Sequence, residues 1–107
     1  MTNAKEVAQT ILQQLGGNKF LAMTGAKNLT YGTNKEGLPQ YSFKFPMSKV
    51  ANYCRITLEA TDTYTMEFMK IRGTNHTSLL PITGVYCDQL ATCFEGMTGL
   101  RTSLTAA

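Results

Sequence analysis

Apolar residues in the first 15 positions recur at steps of three and four, the pattern of a helix with one buried face. Residues 3–15 are therefore predicted to form a helix. Asn3 is a suitable N-cap with Glu6 three residues later, and Gly16 and Gly17 are suited to end the helix. The predicted buried face consists of Val7, Ala8, Ile11, Leu12 and Leu15.

The middle of the chain has shorter apolar segments separated by turn residues. Residues 20–23 are predicted to form a short strand, and residues 25–28 a turn. Residues 33–40 contain Gly and Pro among polar side chains, which indicates an exposed loop. Aromatic and polar residues then alternate over residues 41–45, which predicts a strand that ends at Pro46.

Residues 54–60 and 64–71 form the clearest predicted hairpin. A three-residue loop, 61–63, brings apolar partners together on one face. A loop one residue shorter would match Arg55 with Phe68, which is the poorer pairing. The preferred register pairs Ala60 with Tyr64, Leu58 with Met66, and Ile56 with Phe68, and all six are predicted to face the core. The opposite face then carries Tyr53, Arg55, Thr57, Glu59, Thr65, Glu67, Met69 and Ile71.

A polar loop is predicted over residues 73–78, followed by a second helix from Thr83 or Gly84 to about Met97. Residues 101–107 are predicted to be a frayed tail. Helix, strands and helix in this order predict an α+β fold in one domain, residues 1–107. Its small antiparallel sheet would carry the N-terminal and C-terminal helices on one face. The apolar stripe of the second helix comprises Tyr86, Leu90, Cys93, Phe94 and Met97.

Composition limits the function without defining it. Of the 107 residues, 43% are hydrophobic and 16% charged, which predicts a folded chain rather than a disordered one. The net charge is +3, with six lysines against two glutamates in residues 1–53 and four cations against five acids in residues 54–107. This bias permits contact with nucleic acid but does not require it.

No catalytic, metal or cofactor site is predicted. Three cysteines without paired spacing, no signal peptide and no apolar run near ~20 residues predict a cytoplasmic protein outside the membrane. Cys87 and Cys93 lie on different faces of a helix, and His76 stands alone, so a zinc site is not expected. Pairing Cys87 with His76 as a thiol enzyme lacks a third orienting group. Gly25-Ala26-Lys27 lacks the remainder of a phosphate-binding loop.

Two kinds of binding surface are compatible with the predicted sheet. Single-stranded nucleic acid is bound by aromatic platforms flanked by cations. Phe43 and Phe45 are more readily explained as core residues, so Tyr53 is the better candidate for such a platform. Alternatively, Tyr53, Met69 and Ile71 among charges on the outer face would suit a protein partner or a homodimer. The candidate binding residues, for nucleic acid or another partner, are Tyr53, Arg55, Lys70, Arg72 and Lys44.

Five short segments are residues 17–28 (GNKFLAMTGAKN), 62–64, 70–73, 84–90 and 98–100. Together they resemble small uncharacterised proteins of tailed bacteriophages and bacterial mobile elements. The resemblance spans most of the chain and transfers no activity and no functional residue. It implies a context in a bacterial host cell. A non-enzymatic module that binds nucleic acid is the leading interpretation, with an inhibitor of a host or anti-phage defence protein as the alternative and a structural or assembly component as the third.

Overall fold

A computed structural model describes residues 3–46 and 48–100. The predicted frayed tail, residues 101–107, lies outside the described residues. The helices are α1 (Ala4–Leu15), α2 (Asn18–Thr24) and α3 (Leu90–Thr98). The strands are β1 (Lys27–Thr33), β2 (Pro39–Lys44), β3 (Tyr53–Leu58), β4 (Tyr64–Arg72), β5 (Asn75–Ser78) and β6 (Ile82–Val85).

Helix α1 forms as its sequence predicts. The Asn3 side chain accepts a hydrogen bond of 2.8 Å from the backbone N–H of Glu6, which satisfies one of the free donors at the helix start. Gly16 ends the helix with a φ of 131°, and its N–H reaches the carbonyls of Leu12 and Gln13. The buried face consists of Val7, Ala8, Ile11 and Leu15, with Leu12 half-buried beside them.

The segment predicted as a strand over residues 20–23 is instead helix α2. A short apolar segment does not distinguish a buried helix from a buried strand by periodicity, and here the helix-forming residues and the flanking glycines decide. Phe20 and Thr24, four residues apart, are both buried on one side of the helix. Gly25 ends it in the left-handed conformation, and its N–H donates to the Leu21 carbonyl at 3.0 Å.

All strand pairs in the sheet are antiparallel. Strands β1 to β5 follow one another in chain order, and β6 adds to β4. The outer edge of β4 is shared, because β5 pairs with its residues 69–72 and β6 pairs near its start, at Tyr64 and Met66. The predicted loop over residues 33–40 is shorter than expected, since β2 begins at Pro39.

The β3–β4 hairpin has the predicted faces but not the predicted register. Leu58 lies opposite Tyr64 and Ile56 opposite Met66, a shift of two residues that leaves the side chains of residues 53–58 and 64–71 on their predicted faces. The loop is five residues long, 59–63, and Asp62 adopts a φ of 64° within it. Hydrogen bonds from Glu59 N to Thr63 O (2.8 Å) and from Asp62 N to Glu59 O (3.0 Å) close this loop. Ala60 is consequently exposed, and Leu58 is only half-buried.

Two predictions in the last third of the chain are wrong. Within the predicted polar loop 73–78, residues 75–78 form strand β5, which is exposed throughout and therefore lacks an apolar alternation. Residues 82–85, where the second helix is predicted to begin, form strand β6, with Val85 buried opposite Tyr64. Tyr86 is 60% exposed rather than part of the apolar stripe. Helix α3 begins at Leu90, after a turn of 3-10 helix at 87–89.

The predicted α+β fold is confirmed, with the N-terminal and C-terminal helices on the same face of the sheet. Five phenylalanine rings form the centre of the core, and Phe94 of α3 lies at their middle. Its ring centroid is 5.2 Å from that of Phe20 in α2 and 5.9 Å from that of Phe43 in β2. The centroids of Phe45 and Phe68 lie 5.1 and 6.1 Å from the same ring. The three helices thus bury their apolar residues against one face, and the described helices leave the other face uncovered.

Candidate nucleic-acid interface

The face of the sheet turned away from the helices is called the outer face. It is polar across the centre, where hydroxyl, amide and charged side chains alternate with the buried rings of the opposite face. Thr57 is the exception among its side chains, because it is buried and accepts a hydrogen bond of 2.9 Å from the Gln40 amide. The outer face comprises Lys27, Thr30, Gln40, Ser42, Lys44, Tyr53, Arg55, Thr57, Thr65, Glu67, Met69, Ile71, His76 and Ser78.

One row of directly opposed residues crosses four strands of this face. Lys27 lies opposite Lys44, Lys44 opposite Tyr53, and Tyr53 opposite Met69. Both lysines are exposed, and Tyr53 and Met69 are half-buried. Within the described residues, neither lysine side chain makes an ion pair or a hydrogen bond. Lys44 therefore stands next to an aromatic ring and Lys27 lies one strand beyond it, with no acidic side chain between them.

Arg55 lies in the neighbouring row and is engaged by Glu67. Its Nε donates to Oε1 at 3.1 Å and its Nη2 donates to Oε2 at 3.0 Å, a bidentate arrangement. These hydrogen bonds from the guanidinium to Glu67 raise the pKa of Arg55. Because the negative charge of the Glu67 carboxylate neutralises the positive charge of the guanidinium, Arg55 adds less positive potential to the outer face than Lys27 and Lys44 do.

The sheet separates the five residues predicted to bind a partner. Lys44, Tyr53 and Arg55 lie together on the outer face. Lys70 and Arg72 alternate with Met69 and Ile71 along β4, so they point toward the opposite side of the sheet. The Lys70 ammonium donates a hydrogen bond of 2.9 Å to the Lys49 carbonyl, and Arg72 is exposed.

Charge is segregated between the two ends of the strands. The basic end carries five cations, and its residues 44–46, 48–53 and 68–78 contain no Asp or Glu. The opposite end is formed by the loops at 34–38 and 59–63, which hold three acidic side chains and one lysine. Such segregation concentrates positive potential at one end although the net charge is only +3. The cations of the basic end are Lys27, Lys44, Lys49, Lys70 and Arg72.

A cleft of about 220 Å³ opens at the basic end. Lys27 and Lys44 line it together with apolar surface from Phe45, Pro46 and Ile71. Asn52 also lines it, but its amide is already used, since Nδ2 donates to the Ile71 carbonyl and Oδ1 accepts from the Ile71 N–H, both at 2.7 Å. The two lysines therefore supply the free polar groups of the cleft.

The sequence pattern does not identify Lys27 and Lys49 as members of this surface. It predicts a turn at Lys27, whereas this residue opens strand β1 and precedes a bulge at Asn28, whose φ is 55°. Lys27 lies 17 positions from its partner Lys44, so no local spacing relates the two. The sequence does identify Lys44, because the alternation of aromatic and polar residues in β2 predicts that its side chain points outward.

The thiols and the histidine form no joint site in the part of the chain that the structure describes. Cys54 is buried, which raises the pKa of its thiol, whereas Cys87 is exposed and Cys93 half-buried. His76 lies in β5 opposite Ile71. Residues 3–46 and 48–100 contain no group of three or more His, Cys, Asp or Glu side chains arranged to hold a metal ion. Over the same residues, no helix has the length and apolar character needed to cross a membrane.

Comparisons with known proteins do not indicate a family or a function for this chain. No protein-family model matches the chain, and the curated proteins and the solved structures likewise give no match. The resemblance to bacteriophage and mobile-element proteins accordingly stays a prediction.

Proposed function

We propose that this chain is a non-enzymatic binding module whose ligand is nucleic acid, held at the basic end of the sheet. The observation that carries the proposal is the clustering of five cations at one end of the strands, where Lys27 and Lys44, which make no ion pair or hydrogen bond within the described residues, line a cleft on the outer face. A surface of this kind attracts nucleic acid, because each nucleotide carries a negatively charged phosphate. The half-buried ring of Tyr53 beside Lys44 adds a group on which a base can stack.

Fluorescence anisotropy with labelled single-stranded and double-stranded oligonucleotides, at low salt, tests this proposal. Phosphate contacts release counterions, so affinity should fall as salt rises, with a log–log slope of about −2 on single strands for about three contacts. The double variant Lys27→Glu/Lys44→Glu should bind far more weakly and lower the magnitude of the slope by about 1.4.

The matched control is Lys5→Glu/Lys35→Glu, which changes the net charge equally but alters one lysine on helix α1 and one in the loop at 34–38, neither of them among the five cations of the basic end. It should retain most of the binding, because local potential and not overall charge drives the contact. Equal losses in the two double variants would reduce the effect to net charge. Failure of micromolar protein to bind either oligonucleotide at low salt would overturn the proposal.

A second candidate is a protein-binding module, and one observation favours it. Tyr53, Met69 and Ile71 place partly exposed apolar surface on the outer face with charges around it. Such a module would inhibit a host or defence protein, form a homodimer, or serve as an assembly component. Sedimentation of the chain alone tests the homodimer. A pull-down from a bacterial host, analysed for protein and nucleic acid, distinguishes the other cases. For both candidate functions, we propose that the module has a phage or mobile-element origin and acts in the cytoplasm of the bacterial host.

A further inference from the structure

The row Lys27–Lys44–Tyr53–Met69 gives the proposed ligand a direction across the sheet. Neighbouring strands lie about 4.8 Å apart, so the Cα atoms of Lys27 and Met69 are roughly 14 Å apart. Both cations occupy the β1 side of this row, and the ring with the neighbouring thioether occupies the β4 side. A ligand lying along the row would meet charge first and flat apolar surface next.

Tyr53 is the only tyrosine or phenylalanine that the described strands place on the outer face, and His76, opposite Ile71 in β5, is the other ring there. Tyr31, Tyr41 and Tyr64 belong to rows that face the helices. No ring among the described residues pairs with the Tyr53 ring, and its electrostatic contact is with Arg55. Because Tyr53 is only half-buried and no other ring covers it, part of its side chain is accessible for a base to stack on, and the neighbouring cation Lys44 can balance a phosphate.

We propose that the outer face binds a single strand of nucleic acid, with phosphates at Lys27 and Lys44 and one base stacked on Tyr53. This inference rests on the proposed function and specifies the form of its ligand. The width of the face argues against a duplex here, since the five strands β1 to β5 span roughly 19 Å, whereas the major groove of B-DNA is about 12 Å wide. A single strand has unstacked bases and can lie flat on such a sheet.

The narrower β4–β5 hairpin is the part of the molecule suited to a duplex. A two-stranded ribbon fits the major groove, and this hairpin carries exposed Arg72 opposite exposed Asn75 near its turn. Arginine and asparagine recognise guanine and adenine edges, respectively. Double-strand binding through this hairpin is therefore the outcome that competes with the proposal.

The chain has no tryptophan, so Tyr53→Trp introduces a single indole at the platform. The probe is an unlabelled oligothymidine of about twelve nucleotides, a length within the site sizes known for single-strand binding folds, and anisotropy of a labelled copy follows its binding in parallel. We expect the indole emission of this variant to be quenched on binding, because the indole stacks on a base. The control is Tyr31→Trp, at a position that is 56% exposed on the other side of the sheet, where the emission should not change.

Affinity gives the second readout. Tyr53→Ala should weaken single-strand binding by about 5- to 150-fold, Tyr53→Phe should retain it, and Arg72→Ala/Asn75→Ala should have the smaller effect. Binding without quenching in Tyr53→Trp, or a preference for the duplex that Arg72→Ala/Asn75→Ala abolishes, would overturn the inference and leave the proposed function standing. Absence of binding to both forms would overturn both.

Discussion

The two faces of the sheet use the same alternation of side chains for opposite purposes. In β2, Tyr41 and Phe43 point to the helices and are buried, whereas Ser42 and Lys44 point outward and are half-buried and exposed, respectively. The helical face is a continuous set of rings and aliphatic groups. The outer face holds hydroxyls, amides and charges that the described helices leave uncovered.

This difference separates what stabilises the fold from what is available for binding. Burial of apolar area on the helical face supplies most of the driving force for folding. Exposed polar groups contribute little to the free energy of unfolding, so residues of the outer face can bind a ligand with little effect on stability. Substitutions on the two faces should therefore have effects of very different size.

The largest effect is expected at the centre of the helical face. Phe94→Ala removes a ring that lies within 6.1 Å of four other ring centroids, so it should lower the free energy of unfolding by about 3–5 kcal/mol. Urea unfolding followed by circular dichroism measures this change. Leu80→Ala is the control, since Leu80 is 87% exposed and should shift stability by less than about 0.5 kcal/mol. Similar values for the two variants would contradict the contrast between buried and exposed positions.

An intermediate, pH-dependent effect is expected at Cys54. Burial, and secondarily the charge of Glu67, raises the pKa of this thiol well above its ordinary value of 9.0. The unfolded chain therefore ionises Cys54 at lower pH than the folded chain does. Its contribution to stability is complete well below pH 9 and is lost as pH rises through 9 toward the folded pKa, by at most roughly 1 kcal/mol per pH unit.

Urea titrations at about pH 7, 9 and 10, on either side of the ordinary thiol pKa, test this dependence. Cys54→Ala should flatten the decline in stability above pH 9, whereas Cys87→Ala, at an exposed position, should not. Burial also raises the pKa of Tyr41 and Tyr64, and their loss of stability has the same sign but begins only above their ordinary value of 10.0. If Cys54→Ala left the pH dependence unchanged, the pKa of this thiol would not be raised in the folded chain.

The smallest effect is expected on the outer face itself. The side chains of Arg55 and Glu67 are 36% and 33% exposed, so solvent screens their ion pair and a double-mutant cycle should give about 0–1 kcal/mol. The cycle uses Arg55→Ala, Glu67→Ala and the double variant in urea unfolding. A coupling above about 2 kcal/mol would mean that this face contributes to the fold as the helical face does.

The alternation of residues is sufficient to predict which side chains face the core. Ile56, Met66 and Phe68 are buried, and Tyr53 and Arg55 lie on the other face, as expected. The predicted register is wrong by two residues, because matching apolar partners is equally satisfied after any even shift. The five-residue loop at 59–63, with Asp62 in the left-handed conformation, decides the register, which apolar matching alone does not determine.

The candidate interface is only partly predictable. Strand patterning identifies Tyr53, Arg55 and Lys44, and the structure places all three on one face. Lys27 is not identified, since it becomes a neighbour of Lys44 through pairing between β1 and β2. The tendency of residues 75–78 to form a strand is also hidden, because an exposed edge strand needs no apolar alternation.

By itself the sequence determined the class of fold, helix α1, the strand character of residues 41–44 and the two faces of the central hairpin. Hydrophobic periodicity reports directly which side of an element is buried, so these features follow from local pattern. Tertiary structure decided where the strands pair and which charges become neighbours. Strand pairing joins residues far apart in the chain, and it gathers five cations at one end of a sheet whose sequence carries them in four separate segments.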